Sequence, residues 1–147
     1  MKNSIKKGFI SGFIATLVLT MMMIIKGKMG IMPALDPVGM MTNTVHAKLG
    51  LPQLPVIGWL MHFGIGTIAW GGAFSIFNKW IPTQKQLTKG IIFGVVAWLI
   101  MMLIPMPIMG AGLFALNIGI QATVMTLVLH LVFGIVLGVS YQKLLGE

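Results

Sequence analysis

The chain has 147 residues, 57% apolar and 8% charged, with a net charge of +8 at pH 7 that comes entirely from lysine. An average soluble domain has about 25% charged residues. So few charges cannot cover a water-soluble globule, and a mean hydropathy of +0.99 excludes disorder as well. Cysteine is absent, which removes disulfides, thiolate metal sites and cysteine nucleophiles. The acids are Asp36 and Glu147 alone, which leaves almost nothing for chemistry that needs paired carboxylates.

Four apolar runs follow one another along the chain, at residues 8–25, 55–77, 89–104 and 116–145. A bilayer core about 30 Å thick needs roughly 20 helical residues. The runs lack the alternation of a barrel strand, so each predicts a membrane-spanning helix. The first run follows Lys2, Lys6 and Lys7, as a signal peptide would. It is followed by Lys26 and Lys28 with no small-residue cleavage site, which predicts a retained helix.

Between the first two runs, Asp36-Pro37 reads as an N-cap with proline at the first helical position. Val38, Met41, Val45 and Leu49 recur at helical spacing, and Gly50 ends the run. This predicts a short interfacial helix over 37–48, with His46 and Lys48 on its wetter side. In the third run, Pro105 and Pro107 with Gly110 and Gly112 break the helix. Either a tight outer turn or a segment facing a vestibule satisfies that pattern.

Lysine placement predicts orientation. Lys2, Lys6, Lys7, Lys79, Lys85, Lys89 and Lys143 fall on one side; Lys26, Lys28 and Lys48 fall on the other. Both termini are therefore expected in the cytoplasm. The net charge needs no nucleic acid to explain it, only topology and anionic membrane lipid. Trp59 and Trp80 are expected at the interfaces, and Trp70 and Trp98 between helices.

The chain also repeats itself. Lys7-Gly8 followed by Gly12, Ala15 and Leu17 matches Lys89-Gly90 followed by Gly94, Ala97 and Leu99; His62 with Gly66 matches His130 with Gly134. This predicts one domain over 1–147, all-α, built as a tandem repeat of two helical hairpins, 5–77 and 87–145. Gly8, Gly12, Gly66, Gly90, Gly94, Gly134 and Gly138 form small-residue stripes that let helices pack closely. A unit with such stripes and little polar surface is expected to self-associate as a homo-oligomer.

The segments KGFISGFIATLVLTMMM, GKMGIMPALDP, MHFGIGTIAWGGAF, KGIIFGVVAWLIMMLIPMPIMGAGLF and HLVFGIVLG resemble a family of small four-helix bacterial and archaeal membrane proteins of unknown function. The resemblance covers nearly the whole chain. It implies the four-span fold and the membrane location, and no activity.

The sharpest candidate site is the pair His62 and His130. The repeat places them at matching depth, on small-residue faces that can meet. Ionisable residues inside a membrane are functional candidates. Two neutral imidazoles suit haem b, a metal, or a proton relay; equally, each can hydrogen-bond a neighbouring carbonyl and only hold helices together. Methionine is the second feature. All thirteen methionines after the first fall in the outer half of the expected topology, among them Met61, Met101, Met102 and Met125. Thioethers suit Cu(I), and they also serve as flexible packing. There is no phosphate loop, dinucleotide fingerprint or zinc-protease helix, and no serine has an acid-supported histidine. The expected function is therefore non-enzymatic: a ligand or solute held in an outer-leaflet cavity. The rivals are a small oligomeric transporter or channel and an accessory subunit of a larger membrane complex.

Overall fold

The structure, a computed structural model, describes residues 2–146. Its four spans are long and apolar enough to cross a bilayer, so the chain is a multi-pass, all-helical membrane protein. The first span is α1 (Lys2–Lys28). The short α2 (Pro37–Leu49) follows. The second span runs through α3 (Pro55–Gly64), a π-helical turn (Ile65–Trp70), α4 (Gly71–Phe77) and a 3-10 turn (Asn78–Trp80). The third consists of α5 (Gln86–Leu103) and α6 (Pro105–Ile108), and α7 (Ile120–Leu145) is the fourth. An even number of spans puts both chain ends on one side, where the Ser4 and Tyr141 hydroxyls lie 2.5 Å apart. We call this side the terminal end and the opposite side the α2 end.

Local sequence accounts for α2. Asp36 Oδ1 accepts a bond from the Gly39 N–H at 3.0 Å, Pro37 begins the helix, and Gly50 ends it in the left-handed region at φ 67°. His46 Nδ1–H donates to the Leu51 carbonyl at 2.8 Å, beyond the helix end. Val38, Thr42 and Val45 are buried. Thr42 is buried in the second place, which spacing assigned to Met41, because Gly58 of α3 lets α2 approach at the Val38 and Thr42 turn.

Two glycine crossings build the bundle. Gly8 and Gly12 of α1 meet Gly66 and Gly71 of the second span: a Cβ on Gly12 would lie 2.7 Å from the Gly66 oxygen and 2.8 Å from the Gly71 Cα. Gly90 and Gly94 of α5 meet Gly134 and Gly138 of α7. There a Cβ on Gly94 would lie 2.5 Å from the His130 oxygen. Packing in lipid rests on such backbone contact, because lipid tails are as apolar as leucine.

The terminal half closes around an aromatic cluster. Phe74 stands edge-on to Phe93 and to Tyr141, with centroids 5.3 Å apart in both pairs, and Phe133 and Leu137 complete the packing. Trp70 packs against Phe93 and Trp98 donates its indole N–H to Thr126 Oγ1 at 3.1 Å, so both sit between helices as expected. Lys89 is buried and donates to the Asn78 carbonyl at 2.8 Å and to Asn78 Oδ1 at 3.1 Å, tying the second span to the third. At the α2 end, buried Lys26 donates to the carbonyls of Ile31, Met32 and Leu35 and folds that loop back on α1. These two lysines act as struts.

The fourth span starts later than hydropathy predicts. Residues 110–119 form a compact loop with Gly110, Gly112 and Gly119 at positive φ and Phe114 and Ala115 left-handed at 52° and 57°. The Thr123 hydroxyl bonds the Phe114 carbonyl and pins the loop to α7.

Candidate ligand cavity

All four spans, together with α2 and α6, surround one cavity of about 330 Å³ on the α2 side of the aromatic cluster. The broken third helix is part of its wall: Pro105, Ile108 and Met109 line it, so this break faces a cavity as well as making a turn. Thr16, Leu19, Ile65, Gly66, Leu129 and Phe133 supply much of the remaining lining.

His62 and His130 both line this cavity. Their tautomers follow from their partners. The Thr20 hydroxyl gives its one hydrogen to the Thr16 carbonyl at 2.7 Å, so toward His62 Nε2, 3.0 Å away, it acts as acceptor. His62 therefore carries its proton on Nε2 and keeps a lone pair on Nδ1. His130 Nδ1–H donates to the Thr126 carbonyl of its own helix at 2.8 Å, which leaves the lone pair on Nε2, the nitrogen on the far side of the ring. No hydrogen bond joins the two rings. They share a cavity, and each keeps one ring nitrogen free of a hydrogen bond.

The matching depth expected from the repeat is corrected by the packing. Gly12 meets Gly66, whereas Gly94, its counterpart, meets the His130 carbonyl. His62 reaches Thr20, whose counterpart is Met102; the residue touching Met102 Sδ is Thr126, at 3.8 Å. His130 thus corresponds to Gly66, and His62 corresponds to Thr126, one turn nearer the α2 end. Matching His-Gly pairs along the sequence cannot see which turns face each other.

The same comparison explains the π turn. The two residues meeting α1, Gly66 and Gly71, are five apart, while the two meeting α5, His130 and Gly134, are four apart. Residues five apart share a face only in an i→i+5 turn, and Ile65–Trp70 is one. It has a local cost. Ser11, Thr16, Thr20, Thr42, Thr44 and Thr126 each donate to the carbonyl four residues back, but the buried Thr67 Oγ1 inside the π turn has no partner.

Of the four methionines singled out from sequence, Met61 and Met101 line the cavity and two do not. Met102 is fully buried, and Met125 packs beside it against the cluster around Leu35 and Met106. Met23, Met41 and Met109 line the cavity in their place. Their one-sided distribution was visible in the sequence; which way each faces depends on helix rotation. A second, more open groove of about 390 Å³ lies between α2 and α3, where the Asp36 carboxylate is taken up by capping.

The volume bears on the ligand. At roughly 30 Å³ per water, the cavity holds a solute of about a dozen heavy atoms. Haem is several times larger and enters only if the helices separate. No curated protein and no solved structure matches the chain. The chain belongs to a family of unknown function, DUF6789, whose model matches residues 2–147.

Proposed function

We propose that this protein is a non-enzymatic binder that holds a small solute in the cavity between its spans. In this reading both termini are cytoplasmic, and the cavity lies toward the outer leaflet of a bacterial or archaeal cytoplasmic membrane. One observation carries it: two imidazoles on different helices, each with one ring nitrogen free of a hydrogen bond, line a single apolar cavity of ligand size. Among the described residues the lining has imidazoles, hydroxyls and thioethers but no carboxylate, which suits binding better than acid–base catalysis. The aromatic packing around Phe74 closes the terminal half and favours a binder over a channel.

Small apolar probes that carry a hydrogen-bond donor, phenol and indole, test the cavity. They should raise the thermal midpoint of the detergent-purified protein by mass action, about 2.7 kcal/mol at a hundred times Kd. Met101→Trp, which fills the space, should abolish that rise while the protein still folds. If neither probe gives a rise that Met101→Trp removes, the cavity is not a binding site.

The orientation rests on lysine. Even with the struts Lys26 and Lys89 set aside, six lysines stand at the terminal end against Lys28 and Lys48 at the α2 end. Single cysteines at Asn3 and Gln142 should resist an impermeant maleimide in intact cells, and one at Asn43 should react. The reverse pattern would invert the topology.

A further inference from the structure

Methionine is concentrated at the cavity. Five of its twenty lining residues are methionine, against fourteen in the 147-residue chain. Their distribution is more telling than their number. Met23 comes from α1, Met41 from α2, Met61 from α3 and Met101 from α5, and Met109 directly follows α6. Among the other helices at the cavity, α7 contributes His130, and α3 adds His62. Each of α1, α2, α3, α5 and α7 therefore brings a thioether or an imidazole residue to the lining, while the π turn brings Ile65, Gly66 and Trp70. Packing needs some flexible apolar filler, but it has no need of a sulfur from each of four separate helices.

From this arrangement we infer that the cavity is a site for a soft monovalent cation, Cu(I) or Ag(I). The inference rests on the binding role proposed above and names its ligand class. The donors are His62 Nδ1, His130 Nε2 and the thioether sulfurs, led by Met61 and Met101. All are neutral and electron-rich, and soft sulfur ligands select Cu(I). Charge decides against the harder dications. Asp36 caps α2, and no acid is among the described residues that line the cavity. Zn(II) held there would leave two uncompensated charges within a hydrocarbon layer, whereas Cu(I) leaves one. The two histidine hydrogen bonds hold each ring in a tautomer with one lone pair left free, as carbonyl and carboxylate partners do for metal-bound histidines.

The test uses the full chain, purified in detergent and challenged with Ag(I), and with Cu(I) kept reduced by ascorbate against a chromophoric Cu(I) chelator. One ion per chain should be retained, with nitrogen and sulfur both present in the X-ray absorption spectrum at the metal edge. Met61→Leu/Met101→Leu/Met109→Leu keeps the volume and removes only the sulfur; it should weaken binding by at least about tenfold. His130→Ala should do the same. Zn(II) should not compete. Failure to retain either ion, retention unaltered by the triple leucine variant, or equal retention of Zn(II) overturns the inference. The outcomes separate the two readings: a phenol or indole shift that persists without metal binding sinks the metal alone, and loss of both sinks the cavity.

Discussion

Gly90→Ala is expected to destabilise the protein by about 2–3 kcal/mol, while Gly64→Ala, the same chemical change, should stabilise it by about 0.5–1 kcal/mol. The difference comes from what each added methyl meets. At Gly90 it runs into the carbonyl oxygen of Gly134 and lies 2.9 Å from both the Cα and the nitrogen of Gly138. All three obstacles are backbone, so no rotamer change relieves them and α5 must move off α7. At Gly64 no atom lies within 4 Å of the added methyl, and the backbone is already helical at φ −61°. There alanine only removes the entropic penalty of glycine in a helix. Thermal unfolding in detergent reads both variants. If Gly90→Ala is as stable as its parent, the close crossing of α5 and α7 is wrong, and with it the register that assigns His130 to Gly94.

Particular residues show where sequence reasoning reached and where it stopped. Hydropathy alone located four spans, because the membrane forces every unpaired backbone group into a helix. Asp36, Pro37 and Gly50 announced α2 almost to the residue, because caps act on neighbours within a turn. Gly8, Gly12, Gly90 and Gly94 were legible as packing stripes for a similar reason: four-residue spacing is a local property. What failed was long-range. The sequence suggested that His62 and His130 are equivalent, yet equivalence depends on which turns cross, and Gly66 stands opposite Gly12. Met102 and Met125 were indistinguishable from Met101 and Met61 until the rotation of α5 and α7 was known. The π turn left no sequence mark beyond the five-residue spacing of Gly66 and Gly71, and that spacing acquires meaning only once α1 is seen against both.

Deleting Ile68 should therefore be tolerated, with stability within about 1 kcal/mol of the parent or above it, although single deletions inside a spanning helix ordinarily rotate everything beyond them by about 100°. Ile68 lies in the π turn and is 63% exposed, so the side chain itself contributes little inside the bundle. Its removal leaves Gly66 and the present Gly71 four residues apart, the spacing at which an ordinary α-helix keeps both on the face toward α1. Thr67 would regain the carbonyl four residues back, worth about 1 kcal/mol for a buried hydroxyl now without a partner. Deleting Ile135 is the matched control. It is 40% exposed and lies between Gly134 and Gly138, where the helix is already regular. Its loss turns one of those glycines out of the crossing and should cost more than about 3 kcal/mol, enough to prevent recovery of folded protein. Thermal midpoints and detergent-solubilised yield decide between the two. Equal collapse of both deletions would mean that the π turn is required for folding and does more than absorb an extra residue. If the Ile68 deletion folds but no longer responds to phenol, indole or Ag(I), the π turn serves the cavity instead, since Ile65, Gly66 and Trp70 form part of its wall. Single π turns inside α-helices recur at functional sites, and this one borders the cavity.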